Sequence, residues 1–533
     1  MIRDRFKNKA EDKRNKDEPN NLYMHTLEAL RREKEPLAAE LQQNKSRLQH
    51  IFDGCSDIVF RPFLLQPNLQ ALLIYTEGIV ESKDINDHVL HPLMHLFQAQ
   101  DSNGSPEMLD TRWISLSQGK STDLIGEVVY GVLTANVIVL VDGYAEAGMY
   151  SVKGGTRRGV EEPTTESVVR GPREGFTENV RVNTALLRFK IKTPDLKTID
   201  FTKGDRTQTT LVLSYIEGII DPDVVKEATK RLEGIQIDAI LESGYIEELI
   251  EDNPYSPFPQ LQYTERPDTV AAQLLEGRFA IFVDGTPFVL IAPVTVWQML
   301  QASEDYYERY LISNLLRWLR LVFLFLALFL PGLYIAVITY HQDMLPTTLI
   351  LSIAAARESI PFPAIVEVLI MELSFEALRE AGIRLPKTVG QTVSILGALV
   401  IGQAAVEAGI VSAPMVIIVA VTGVASFTIP RFNLAISVRL LRFPIIFLAA
   451  TFGLFGMIIG SVWLLAHLCH LRSFGVPYLS GVAPYQKGEM KDIFIRQPWW
   501  KMVFRPDSIT GFHRKNRKRL GSTSHPANPE ESW

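Results

Sequence analysis

The sequence predicts an α/β soluble region of two related subdomains, followed by an α-helical transmembrane domain of four full spans plus a broken helix. The chain changes character along its length. Its first 310 residues mix charge with apolar positions, residues 321–466 are largely apolar, and the end is polar and basic. Such a split implies two solvents, water and lipid, rather than one core. Strand-like runs recur in the first half, and several runs in the second reach the roughly 20 apolar residues that a membrane helix needs.

A net charge of −6 gives no global basic field for nucleic acid. The two cysteines, Cys55 and Cys469, lie far apart in different regions. That argues against a disulfide framework and for a reducing compartment. Residues 1–20 alternate Lys/Arg with Asp/Glu and hold no apolar h-region. No cleavable signal peptide is expected, and the N-terminal region is placed in the cytosol.

Residues 1–50 read as a charged leader and a helix, with Leu27, Leu30, Leu37, Leu41 and Leu48 in partial apolar spacing and Pro36 as a break. That helix either packs on its own domain or joins neighbouring subunits. Residues 51–150 and 195–310 form the two α/β subdomains. Leu72-Leu73-Ile74-Tyr75-Thr76-Glu77-Gly78-Ile79-Val80 is matched by Val212-Leu213-Ser214-Tyr215-Ile216-Glu217-Gly218-Ile219-Ile220. Val139-Leu140-Val141-Asp142-Gly143 is matched by Ile281-Phe282-Val283-Asp284-Gly285. Glu-Gly and Asp-Gly after apolar β-rich runs mark strand ends and turns.

Residues 151–194 form an Arg/Gly-rich connector. In Arg170-Gly171-Pro172-Arg173-Glu174-Gly175-Phe176-Thr177-Glu178-Asn179, two glycines and a proline force a loop. Arg170, Arg173, Glu174, Glu178 and Arg181 are candidates for ion pairs that couple subunits or subdomains, since Arg favours fixed bidentate pairing. An anion-binding role is the other reading.

No phosphate loop, H-E-x-x-H or G-x-S-x-G occurs. His88, His91 and His95 have helical metal-ligand spacing, but Pro92 interrupts it, and His467, Cys469 and His470 fit an interfacial position better than a metal. Asp142 and Asp284 read as repeated turn residues. No catalytic residue, metal or cofactor is expected, and the chain is not read as an enzyme.

The transmembrane domain spans 317–468. Leu321 to Tyr340 is uncharged, with Arg317 and Arg320 before it and Pro331-Gly332 within it. Those arginines place its start in the cytosol. Thr388–Val406 and Ala408–Pro430 read as a hairpin, the first rich in small and polar residues such as Gly390, Gln391, Gly397, Gly402 and Gln403, which suit helix contacts or a wet lumen. Phe443–Ala466 is the last expected span. Between the first two lies an interrupted segment: Leu345–Ala356 is apolar but short, Arg357–Pro363 breaks it, and Ala364–Leu378 resumes with Glu367, Glu372 and Glu376. Interrupted, acidic helix at membrane depth needs protein or water around it. Glu372 and Glu376 lie about 40° apart and Glu367 about 140° from Glu372. The segment therefore either lines a lumen or subunit interface, or lies on the cytosolic surface.

Topology parity does not close. If the broken segment crosses, Arg379, Arg384, Lys387, Arg431, Arg439 and Arg442 fall inside and the tail outside; otherwise the reverse. Residues 469–533 form a basic polar tail with Trp499-Trp500 and the cluster Arg514–Arg519. Anionic membrane lipids and plain water are both fitting surroundings for it.

Arg170 to Asn179, the Tyr-x-Glu-Gly repeats, Pro361-Phe362-Pro363-Ala364-Ile365-Val366-Glu367, the run Glu372 to Pro386 and Gly402-Gln403-Ala404-Ala405-Val406 resemble the A subunits of GerA-type spore germinant receptors. The resemblance covers roughly residues 50 to 500. It implies a multi-pass protein of the inner membrane of the dormant spore, working with a transporter-like B subunit and a lipoprotein C subunit. It implies nutrient-triggered germination, with the A subunit as a homo-oligomeric cation channel. Pro361, Phe362, Pro363, Glu367, Glu372, Glu376, Gln403 and Glu407 are then the pore or gate candidates. A non-conducting scaffold or signal-transducing subunit and a secondary transporter are the alternatives.

Overall fold

A computed structural model describes residues 34–67, 69–94, 119–152, 162–163, 165–166, 168–386, 402–486, 489–502, 505–506 and 508–510. The chain divides into two compact units, Met1–Gly159 with Arg181–Asp200 and Ser214–Gly218, and Val160–Val180 with Phe201–Leu213 and Ile219–Trp533.

In the first unit, helix α1 (Leu41–Ile51) precedes strands β1 (Ile58–Gln66) and β2 (Leu69–Thr76); β3 (Gly119–Thr122), helix α2 (Ile125–Leu133), β4 (Asn136–Val141) and β5 (Ala147–Ser151) complete it. The sheet order is β1-β2-β4-β5-β3. Strand alternation splits the core into two layers. Leu72 and Ile74 on β2 pack with Leu48 and Val128, while Ala71 and Leu73 pack with Ile79, Val89 and Ala185. Helix α3 (Val180–Lys190) brings the fully buried Arg188 against Asp57, with bonds of 2.9 and 2.7 Å to the two carboxylate oxygens.

The second sheet uses β6 (Leu196–Lys203), β7 (Thr209–Ile216), β8 (Gln262–Thr264), β9 (Phe279–Val283) and β10 (Val289–Ala292) in the order β6-β7-β9-β10-β8. The strand order is the same as in the first sheet. Helices α4 (Pro222–Gly234), α5 (Ser243–Ile250) and α6 (Pro267–Leu274) lie between its strands in sequence. The paired runs noted in the sequence fall at equivalent places, on β2 and β7 and on β4 and β9. Both Asp-Gly turns hold the start of a helix. Asp142 Oδ1 accepts from the Leu41 N–H at 3.0 Å, and Asp284 Oδ1 accepts from the Val180 N–H at 3.1 Å. Each carboxylate thus satisfies a backbone donor that the helix cannot. Gly143 and Gly285 then take positive φ, at 86° and 92°.

The apolar part holds α7 (Tyr310–Tyr340), α8 (Thr347–Arg357), α9 (Ala364–Arg384), α10 (Ala413–Phe427) and α11 (Phe432–His470). Among the described residues, α7 and α11 are long and apolar enough to cross a membrane. Helix α11 is not straight, because Gly453 leaves helical angles (φ 62°, ψ −142°). A Cβ on Gly460 would lie 2.6 Å from Ile445 Cδ1, and one on Gly456 would lie 2.0 Å from the Leu448 carbonyl oxygen. Residues 445 and 460 would stand about 22 Å apart along a straight helix. The chain therefore folds back at Gly453 into two antiparallel arms, 432–452 and 454–470. This corrects the expected single span Phe443–Ala466, which straddles the reversal. The expected span Thr388–Val406 falls mostly outside the described residues, as do the leader 1–20, His95 and Arg514–Arg519.

Candidate functional site

Hydrogen bonds fix which helix ends share a side. Helix α7 starts beside Asp305, which pairs with Arg317 at 3.3 Å and Arg320 at 2.7 Å. It ends at Tyr340, whose hydroxyl donates to the Ala450 and Thr451 carbonyls next to Gly453. Near the start of α11, Asn433 donates to the Leu261 carbonyl, and Arg431 pairs with Glu166. At its end, His467 and Ser256 share a hydrogen bond of 2.8 Å, and His467 stacks on Phe258. The start of α7 and both ends of α11 thus lie at the end of the bundle nearest β8, and Gly453 lies at the opposite, distal end. The tail continues from the near end: β11 (Arg472–Ser473) and β12 (Val476–Pro477) form a hairpin, Ser473 donates to the Gln260 carbonyl, and Asp492 meets Arg317 at 2.9 Å.

Between these ends runs α9, with four glutamates, of which Glu380 pairs with its own helix neighbour Arg384 at an exposed position. Glu367, fully buried in its first turn, takes bonds from Arg357 at 3.1 Å and from the Ser412 N–H and hydroxyl at 3.0 and 2.8 Å. It ties the end of α8 and the start of α10 to α9. Glu372 is buried and meets Arg442 at 2.5 Å, and the same guanidinium donates to the Ala327 carbonyl of α7 at 2.8 Å. Glu376 is half-exposed and is shared by Arg379 and Arg439, each at 3.2 Å. Arg379 also donates to Ser426 near the end of α10 at 3.2 Å. Helices α9 and α10 therefore run side by side from the distal end toward the near end.

The other candidates sit around this core. Pro361, Phe362 and Pro363 make the turn between α8 and α9, with Pro363 extended just before α9 and Phe362 39% exposed. Gln403 donates to Glu407 at 2.9 Å on an exposed helical turn. In the connector, the ion pairs that Arg170 and Arg173 make among the described residues are long and exposed, to Glu308 at 4.0 Å and Glu162 at 3.9 Å. The Glu178 carbonyl receives the Gly285 N–H, and Glu174 lies in the loop beside Phe176, whose ring meets Phe282 edge-on. Arg181 joins Glu77 at 3.6 Å and Asp200 at 2.7 Å inside the first unit. Buried Arg266 anchors the loop by bonding the Pro172 carbonyl and Asp268. The sequence reading singled out neither Arg266 nor Arg442 as a site residue, although Arg442 was counted among the basic flanks.

Outside the membrane helices, burial is the main force pushing the Glu247 carboxyl up to about 8 and Glu251 up to about 7, reinforced by acidic neighbours. Burial likewise raises the Cys55 thiol, which leaves it a poor nucleophile. No group of His, Cys, Asp and Glu fit to hold a metal occurs among the described residues.

An α/β repeat region and a bundle of apolar helices threaded by arginine–glutamate pairs define a membrane-associated α/β protein. The chain belongs to the Bacillus/Clostridium GerA spore germination protein family, which it matches over residues 46–508. It is 60% identical over 486 residues to uncharacterized membrane protein YfkQ of Bacillus subtilis (strain 168), covering 91% of this chain and 94% of that one. It is 45% identical over 492 residues to spore germination protein KA of the same organism, covering 92% and 90%. A crystal structure of the N-terminal domain of the A subunit of the Bacillus megaterium spore germinant receptor GerK3 is 38% identical, covering 49% of this chain and 96% of that one, with a TM-score of 0.40.

Proposed function

We propose that this chain is a non-enzymatic A subunit of a nutrient-responsive germinant receptor in the inner spore membrane. It acts with a transporter-like B subunit and a lipoprotein C subunit, and copies of it enclose a gated cation path. The observation that carries the gating part is the pairing of Glu367, Glu372 and Glu376 on α9 with arginines. A neutralised carboxylate draws no cation. Opening then requires α9 to part from α11, which frees Glu372 and Glu376 to favour cations. The paired ends support a topology in which the near end faces the cytosol, with Arg379, Arg384, Arg431, Arg439 and Arg442 toward it, as the positive-inside rule asks.

The test is conductance of the full chain reconstituted with its partners. Nutrient-dependent cation current, with selectivity altered in Glu372→Gln and Glu376→Gln, supports the reading. Unchanged selectivity and gating in both variants removes these residues from the path. The same pairing also favours a second reading, a non-conducting scaffold whose charge pairs only hold the bundle together. An oligomer in lipid that passes no current under nutrient would select it.

A further inference from the structure

The near end of the bundle carries more positive charge than it neutralises. Among the described residues, Arg379, Arg439 and Arg442 pair with Glu372 and Glu376, a surplus of one positive charge in the cluster. Arg379 Nε, Arg439 Nε and Arg442 Nη2 have no acceptor among the described residues, and Glu372 Oε1 has no donor. Arg442 is nearly fully buried, and guanidinium N–H groups left unpaired there are costly. Two exposed rings flank the cluster: the Arg379 guanidinium lies 4.8 Å from the Phe427 ring centroid and that of Arg439 lies 5.8 Å from Phe432.

Depth narrows what can satisfy these donors. Asn433 is bonded to the Leu261 carbonyl at the near end, and Arg439 follows six residues later, about 9 Å along the helix. The headgroup layer is about 5–8 Å thick on each side of the hydrocarbon. Arg439 thus stands where headgroups give way to acyl chains, and its neighbours Ile436 and Leu440 are exposed and apolar.

We propose that Arg379 and Arg439, backed by Arg442, form a binding site for the phosphodiester of an anionic phospholipid, with its acyl chains along Ile436 and Leu440. The site rests on the membrane reading of these helices. One negative charge matches the surplus of one positive charge. Phosphate oxygens accept strong, charge-assisted hydrogen bonds from arginine. Basic pockets between membrane helices on the cytosolic side are established places for such headgroups.

The experiment uses the full chain in nanodiscs of equal phosphatidylglycerol and phosphatidylcholine, released intact for native mass spectrometry. Wild type should retain phosphatidylglycerol in preference to phosphatidylcholine. Arg379→Gln and Arg439→Gln should each lower that retention about five-fold. Glu376→Gln, which removes a competing carboxylate at an exposed position, should raise it and keeps the test decisive if an arginine variant folds poorly. Equal retention of the two lipids, or retention unmoved by all three variants, overturns the site. Displacement by millimolar inorganic phosphate assigns it to a free anion and overturns the lipid. Loss of self-association with retention intact assigns the surface to a second copy instead. A chain that does not enter nanodiscs at all overturns the membrane reading first, so the two failures are distinguishable.

Discussion

Breaking the Glu372–Arg442 pair tests the account of the bundle most directly. The contact is 2.5 Å, both side chains are 5% exposed, and Arg442 also bonds the Ala327 carbonyl, so three helices meet at one guanidinium. Arg442→Met leaves the Glu372 carboxylate buried without a counter-charge, which costs about 3–5 kcal/mol. Glu372→Leu leaves a buried guanidinium with one carbonyl partner and should cost a similar amount. Replacing both together restores a neutral interior. The double variant Glu372→Leu/Arg442→Met should therefore lie within about 1 kcal/mol of wild type or above it. Reversible unfolding in mixed micelles across the four proteins gives the coupling energy from a double-mutant cycle. Losses below about 1 kcal/mol in both single variants, or a double loss equal to their sum, would show that the two charges do not depend on each other. The pairing could then not act as a lock.

Three further outcomes follow. Gly453→Ala forces a side chain into a backbone conformation that favours glycine and brings a Cβ to 2.8 Å from His341, so it should destabilise by about 1–3 kcal/mol or more; a neutral variant in thermal unfolding would contradict the reversal. Cys469 is exposed and Cys55 buried, so an impermeant maleimide should label the native chain in right-side-out vesicles only after permeabilisation; labelling before it would put the end of α11 on the wrong side. Glu247 and Glu251 have folded-state pKa values raised above 4.5, so the stability they contribute is complete below that value and is lost as pH rises through about 7 to 8. Amide exchange in α5, corrected for its intrinsic pH dependence, should therefore quicken between pH 6 and pH 8.5, and Glu247→Gln should flatten that rise.

The repeat was legible because its signals are local. Apolar strands ending in Glu-Gly or Asp-Gly show within a few residues, and they mark β2, β4, β7 and β9. What the aspartates do was not legible, since Asp142 and Asp284 bond helix starts 101 and 104 residues away. The same distance hid the carboxylate partners. Glu372 reads as a lone charge in an apolar run because Arg442 lies 70 residues on. Gly453 was invisible for another reason. Phe452-Gly453-Leu454 carries no proline and no polar cluster, so an uninterrupted apolar run reads as one helix. Only the backbone angle reveals two.

On the membrane reading proposed above, that one angle removes the conflict between two charge arguments. Counting spans from sequence, the arginines on α9 and at the start of α11 asked for a crossing by the broken segment, and a crossing there sent the tail to the opposite side. The conflict existed only because 443–466 was counted once. With the chain reversing at Gly453, α9 can bring Arg379 to the near end while the arm 454–470 returns His467 to Ser256 at that same end. Both requirements are met without moving a charge through the bilayer. The tail then sits where Asp492 can hold Arg317 at the foot of α7, so displacement at the distal end has a covalent route along α7 and α11 to the strands around β8.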